Sequence, residues 1–213
     1  MYFCNEKSAC IVYNMTACIH ENKEYLSGID GAIGDGDHGI NMDKGFSLCR
    51  RRMEDIELSF SEALTLLSDI LLQEIGGSMG PIYGVMFKKM AEILREEKID
   101  QHIFLLALKA AITGIQSIGD AKPGDKTLID TLIPAADALE ASNNRNEDFE
   151  AALLHMKKAA EEGWQSTKDM VAKLGRASRL GERSRGIYDA GATSSYLLLS
   201  SMADSIVPLL CKD

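Results

Sequence analysis

Gly28-Ile29-Asp30-Gly31-Ala32-Ile33-Gly34-Asp35-Gly36-Asp37-His38-Gly39-Ile40-Asn41-Met42-Asp43-Lys44-Gly45-Phe46 is the stretch around which the chain is organised. Asp30, Asp35 and Asp37 are separated almost entirely by glycine and small apolar residues. Glycine visits positive φ at little steric cost, so such a backbone folds tightly and turns side chains toward one point. Carboxylates gathered there repel one another unless a cation sits between them. Hard oxygen donors select Mg²⁺ or Ca²⁺ over softer metals. The segment therefore predicts a divalent-metal site in a tight loop; a bare acidic surface turn is the alternative.

Two motif matches fail. Gly34, Gly36 and Gly39 spell G-x-G-x-x-G, but that fingerprint needs a buried strand before it, and Glu21-Asn22-Lys23-Glu24-Tyr25-Leu26-Ser27 does not read as one. Its glycines also enclose Asp35 and Asp37, which would repel a pyrophosphate. An EF-hand begun at Asp35 needs glycine at its sixth position and glutamate at its twelfth, where Ile40 and Phe46 stand.

Working outward, 213 residues suit one domain, 1–213, with a substantial core. Apolar residues make up 46% and aromatics only 6%, with Leu, Ile, Ala and Met dominant, which favours helices packed on helices. The 32 acidic against 23 basic residues give a net charge of −9, which argues against nucleic acid or an anionic membrane as partner. A nucleotide stays possible because a metal can bridge acid and phosphate. The five cysteines include no C-x-x-C pair, which points to a reduced, cytosolic setting. No signal peptide is apparent, and no stretch is expected to approach the roughly 20 apolar residues of a membrane span.

Apolar periodicity predicts helices over about 5–24, 40–53, 59–75, 78–94, 100–118, 126–141, 147–173 and 192–207, with no strand. Ser59 and Glu62 stand in capping-box register, and Arg50-Arg51-Arg52 suits a helix C-terminus. Eight helices with short connections favour an all-α, up-and-down antiparallel bundle. If neighbours alternate direction, the glycine-bearing connections near 28–39, 76–80, 119–125 and 175–191 gather at one end.

Three of these connections have two readings each. Gly76-Gly77-Ser78-Met79-Gly80 precedes a helix whose free N–H groups could take phosphate; alone it reads as a helix-to-helix turn capped by Ser78. Gly119-Asp120-Ala121-Lys122-Pro123-Gly124-Asp125-Lys126-Thr127 nearly spells a P-loop, but Asp125 separates Gly124 from Lys126 and no strand precedes it. With a ligand, the loop would contact a nucleotide base or a substrate-bearing partner; without one, Asp125 would cap a helix starting at Lys126. The segment 175–186 places Arg176, Arg179, Arg183 and Arg185 in one loop, suited to phosphate or simply solvated. His38 would orient the metal loop, touch a ligand or cap a turn.

Gly34-Asp35-Gly36-Asp37-His38-Gly39, Gly76 to Gly84, Pro123-Gly124-Asp125-Lys126-Thr127 and Gly175-Arg176-Ala177-Ser178 with Gly181-Glu182-Arg183-Ser184 together resemble, in order, the nucleotide-binding L subunit of dihydroxyacetone kinase, or Dak2-type domain. The resemblance implies an eight-helix antiparallel barrel that binds ATP or ADP at one end through two Mg²⁺ ions. It implies that Asp30, Asp35 and Asp37 hold the metals, and that His38, Gly39, Ile40 and Asn41 line the nucleotide. Ser78 and Met79 would meet the phosphates, Gly119 and Leu128 would border the adenine, and Arg176, Asp189 and Gly191 would complete the pocket. Family members often carry serine where Met79 stands and alanine where Pro81 stands, so a hydroxyl contact is lost here while a backbone N–H contact survives. The implied activity is phosphoryl transfer to dihydroxyacetone or a related keto-sugar held on a separate K-type subunit. The donor would be ATP, or ADP rephosphorylated by a phosphotransferase-system M-type protein. The competing readings are the nucleotide-binding part of a fatty-acid kinase and a nucleotide-sensing module that docks on a transcription regulator.

Overall fold

A computed structural model describes residues 1–212. A short strand β1 (Tyr2–Cys4) leads into eight helices: α1 (Cys10–Ile33), α2 (His38–Met53), α3 (Phe60–Glu74), α4 (Met79–Ile93), α5 (Gln101–Ile118), α6 (Ile129–Asn144), α7 (Phe149–Ser166) and α8 (Ala190–Ile206). Strand β2 (Lys98–Asp100) lies between α4 and α5, and single 3-10 stretches follow α7 and precede α8. Each helix packs on the next, and α8 returns to α1, closing an antiparallel ring.

Local chemistry explains the boundaries. Ser59 and Glu62 form the expected capping box at α3, Asp100 accepts the Ile103 N–H at α5, and Asp148 accepts the Ala151 N–H at α7. The three arginines 50–52 occupy the last turn of α2. Inside the ring, the inner faces bring Met15, Phe46, Phe87, Leu108, Leu132 and Leu198 out of water.

Several expectations need correction. The first helix does not end near residue 24; it runs on through Gly28 and Gly31 to Ile33. Glycine costs about 1 kcal/mol in a helix interior, which burial of Leu26, Ile29 and Ile33 on the inner face offsets. Asp30 thus stands on a helix, and the true loop is only 34–37, turned by Gly36 at φ 77°. Two strands stand among the described residues: β1 pairs antiparallel with β2 through Phe3 and Ile99. Three residues each are too few to show a period. Phe3 plugs the barrel end remote from the loops, edge-on to Phe60 at 5.8 Å and stacked on Phe149 at 6.4 Å. Finally, α5 has 18 residues and is long and apolar enough to cross a membrane, contrary to expectation. Half of it is buried against its neighbours, so its apolar character is that of a core helix.

Candidate functional site

Because odd-numbered helices end where even-numbered helices begin, the α1–α2, α3–α4, α5–α6 and α7–α8 connections meet at one end of the barrel. Together they line a cleft of about 560 Å³. Four helix N-termini, those of α2, α4, α6 and α8, bring their partial positive charge there.

One wall is acidic. Asp30 comes from the last turn of α1, Asp35 from the loop, and Asp37 from the residue before α2. One carboxylate oxygen of each lies within 4.8 Å of the others, a hard-donor set that fits a divalent cation. Asp30 Oδ2 also accepts the His38 N–H at 3.3 Å. From across the cleft Arg176 forms an ion pair with Asp35. Of the four arginines in its segment, Arg176 is the one that lines the cleft; Arg185 instead pairs with Glu182 at 3.0 Å.

Behind the acids a polar set fixes the His38 ring. Its Nε2 lies 2.9 Å from Ser194 Oγ, which is 2.6 Å from the Tyr83 hydroxyl, and Tyr83 donates to the Gly191 carbonyl at 3.0 Å. Burial pushes the His38 pKa down to about 4 against the opposing pull of Asp30, so the imidazole is neutral at pH 7. Burial pushes the Tyr83 hydroxyl up to about 12.

Asp189 caps α8 by accepting the Ala192 N–H at 2.7 Å. Burial pushes its carboxyl up to about 7, reinforced by Asp130 and Asp30 and opposed by the Ala192 hydrogen bond and Lys126. The sign follows from linkage. An unfolded aspartate ionises near 4, so between pH 4 and 7 the folded state holds the extra proton and stability falls as pH rises. Asparagine caps as well as aspartate and carries no charge. Asp189→Asn is therefore expected to be more stable than the parent above pH 7 by roughly 1–2 kcal/mol, discounted for partial exposure. The gap closes toward pH 4. Urea unfolding at pH 8 and pH 4 checks this; a gap independent of pH would refute it.

The other walls revise two capping expectations. Ser78 precedes α4 in helical φ/ψ and makes no side-chain cap hydrogen bond. At Gly80 a Cβ would collide with the Ile75 and Leu71 carbonyl oxygens, so glycine there permits the close α3–α4 turn. Asp125 does not cap a helix starting at Lys126. The helix begins at Ile129, and Asp125 Oδ2 accepts the Lys122 N–H at 2.9 Å. The start of α6 has no side-chain cap; Asp130, in its first turn, instead reaches back to accept from Thr127 N at 2.8 Å and from Gly124 N, which ties down the preceding turn.

Of the residues singled out in the sequence, Asp30, Asp35, Asp37, His38, Asn41, Ser78, Met79, Gly119, Leu128, Arg176, Asp189 and Gly191 all border the cleft. Gly39 and Ile40 do not. Gly39 is buried against α1, and Ile40 is 62% exposed on the outer side of α2. Sequence reading missed the apolar wall of Ile33, Ile82, Ile115 and Ile118, which follows the same helical period as the core. It also missed Lys126, whose only local mark is its place two residues after Gly124.

Fold and cleft define an antiparallel helical barrel with an acidic, cation-ready cleft at one end. The chain belongs to the DAK2 domain family, whose model matches residues 32–204. It is 37% identical over 190 residues to the ADP-binding subunit DhaL of PEP-dependent dihydroxyacetone kinase 1 of Listeria innocua, covering 89% of this chain and 90% of that one. It is 36% identical over 200 residues to the ADP-binding subunit DhaL of the PEP-dependent dihydroxyacetone kinase of Escherichia coli, covering 91% and 94%. The crystal structure of the dihydroxyacetone kinase of C. freundii in complex with AMP-PNP and Mg²⁺ shares the fold, with a TM-score of 0.72 at 23% identity. The match takes in 96% of this chain and 35% of that one, so this chain spans about a third of the larger enzyme.

Proposed function

We propose that this chain, as one DAK2-type domain over 1–213, is the cytoplasmic ADP-binding subunit of a PEP-dependent dihydroxyacetone kinase. The observation that carries the reading is the acidic triad facing Arg176 across a cleft ringed by helix N-termini. An acidic wall alone would expel a polyphosphate; with cations it becomes an anchor for one. Asp30, Asp35 and Asp37 would hold two Mg²⁺ ions, which would supply charge neutralisation for the phosphates. The N–H groups of Ser78 and Met79 at the start of α4 and the Arg176 guanidinium hold the remaining phosphate charge. Neutral His38, with Asn41, closes the phosphate side. Gly119, Leu128 and the isoleucine wall receive the base, with Asp189 and Gly191 completing the pocket. Phosphoryl transfer depends on positioning and electrostatics more than on a protein nucleophile. The acceptor, dihydroxyacetone, sits on a K-type subunit, and a phosphotransferase-system M-type protein recharges the ADP. That donor is supported by the PEP-dependent names of the relatives at 36–37% identity. The D-erythrulose kinase of Mycolicibacterium smegmatis, of which only 34% is matched, is 31% identical.

Calorimetry with ADP, with and without Mg²⁺, tests the nucleotide reading. The chain mixed with a K-type subunit and dihydroxyacetone, driven by phosphoenolpyruvate through phosphotransferase proteins or by ATP, tests the reaction. Turnover with ATP alone would overturn the donor assignment, and turnover with neither donor would overturn the kinase role.

Arg176→Ala is expected to weaken MgADP binding by roughly 1.5–3 kcal/mol, the scale of a charged hydrogen bond. Stability should change by less than about 1 kcal/mol, because the Arg176–Asp35 pair is exposed. Calorimetry and urea unfolding separate the two quantities. Native affinity in this variant would remove Arg176 from the pocket.

A further inference from the structure

Lys126 is 1% exposed, in a chain whose other lysines reach water. Its backbone adopts φ 62°, the left-handed region, which only Asn146 shares among the described non-glycine residues. A non-glycine residue there costs on the order of 1 kcal/mol or more and persists only where the surroundings hold it. Burying an ammonium costs more again unless its donors are satisfied. The surroundings meet that demand. Lys126 Nζ donates to Ser184 O at 2.6 Å, to Ile187 O at 2.6 Å and to Met170 O at 3.2 Å. An ammonium has three donors, and all three are spent on backbone carbonyls.

Those carbonyls bracket the arginine-bearing segment. Met170 precedes Arg176, while Ser184 and Ile187 follow it. Two further bonds cross the neck of the same segment: Ser184 Oγ accepts the Ala172 N–H at 2.9 Å, and Lys168 O accepts the Gly186 N–H at 2.7 Å. Outside, the neighbouring Asp125 accepts from Lys173 through both its carbonyl and its carboxylate, at 3.1 and 3.2 Å. The segment carries no α-helix of its own, and Arg176 at its tip is 61% exposed. Its placement over Asp35 therefore depends on how its two ends are held.

We propose that Lys126 is a positioning residue: its ammonium ties the two ends of the 170–187 segment to the α5–α6 connection, and so aims Arg176 at the phosphate side of the cleft. Unlike a P-loop lysine, it does not touch phosphate, because its donors are already committed. The proposal rests on the nucleotide reading above and adds to it how Arg176 is held.

The test is a double-mutant cycle on MgADP affinity by calorimetry, with the parent, K126M, R176A and K126M/R176A. Methionine keeps length and burial but has no donors. K126M is expected to lose roughly tenfold or more in affinity. The double variant should lose little beyond the larger single loss, because Lys126 acts through Arg176. Hydrogen exchange without nucleotide should quicken across 170–187 in K126M and stay unchanged in α3 and α4. The emission of Trp164, whose ring lies 5.0 Å from Tyr188, should shift with it. Additive losses, native affinity in K126M or unchanged exchange would each overturn the proposal. If K126M does not fold, K126Q, which keeps two donors, goes through the same cycle; failure of both to fold would make the lysine a folding requirement and end the proposal. If the parent itself binds no MgADP, the functional reading falls, while the exchange arm still decides whether Lys126 holds the segment.

Discussion

Asp37→Ala and Asp35→Ala are each expected to abolish magnesium-dependent ADP binding while leaving helix content unchanged. Both carboxylates are exposed at the barrel mouth and support no core packing, so their removal leaves the fold intact. It also relieves like-charge repulsion within the triad, so unfolding in urea should occur at the same or a slightly higher concentration. Affinity is a different matter. Loss of an outer-shell partner of a metal typically costs about 10–100-fold, and loss of a direct ligand should exceed that. Asp35→Ala removes the Arg176 partner as well, so it changes two terms at once; Asp37→Ala is the cleaner variant. Calorimetry at fixed Mg²⁺ is the measurement. ADP affinity near that of the parent in both variants would remove the triad from metal binding and with it the explanation of how an acidic cleft takes a polyphosphate.

The gathering of four connections at one end was legible because it needs only a helix count and alternating direction. The capping box of Ser59 and Glu62 and the arginines 50–52 were legible because they are local rules, satisfied within one turn. What escaped depends on tertiary contact. Gly28 and Gly31 look like loop residues, and only the inward burial of Ile29 and Ile33 shows that the helix continues. Asp125 has the right type and place for a cap, but the helix starts later, at Ile129, because the Asp130 carboxylate holds two N–H groups of the preceding turn. The partners of the Lys126 ammonium are carbonyls 44 to 61 residues away, beyond any local pattern. The separation of Gly39 and Ile40 from the cleft follows from the pitch of α2: successive residues on a helix point about 100° apart, so His38 and Asn41 can share a face that the two between them do not.

Gly39 leads to the second large effect. Sequence resemblance placed it beside the nucleotide; the structure gives it a different reason to be glycine. A Cβ at this position would overlap the Lys23 carbonyl oxygen and lie 2.7 Å from Ser27 Oγ and 2.8 Å from Ser27 N. Two of those three atoms belong to the backbone of α1, which no rotamer change can move. Gly39→Ala must therefore push the start of α2 away from α1, and is expected to destabilise the protein by about 3 kcal/mol, the upper end of ordinary overpacking costs. Gly28→Ala supplies the control on α1, the other helix of the pair. Its Cβ meets nothing within 4 Å, so the better helix propensity of alanine should stabilise by up to about 1 kcal/mol. Urea unfolding of both variants checks the opposite signs. The shift should also reach the cleft, because Asp30 rides on α1 whereas Asp37 leads into α2, and separating the helices opens the distance between their carboxylates. MgADP affinity should fall in Gly39→Ala and hold in Gly28→Ala. A Gly39→Ala variant as stable as its parent would mean that the α1–α2 contact yields without cost, and that the spacing of the acids is not set by the close approach of these two helices.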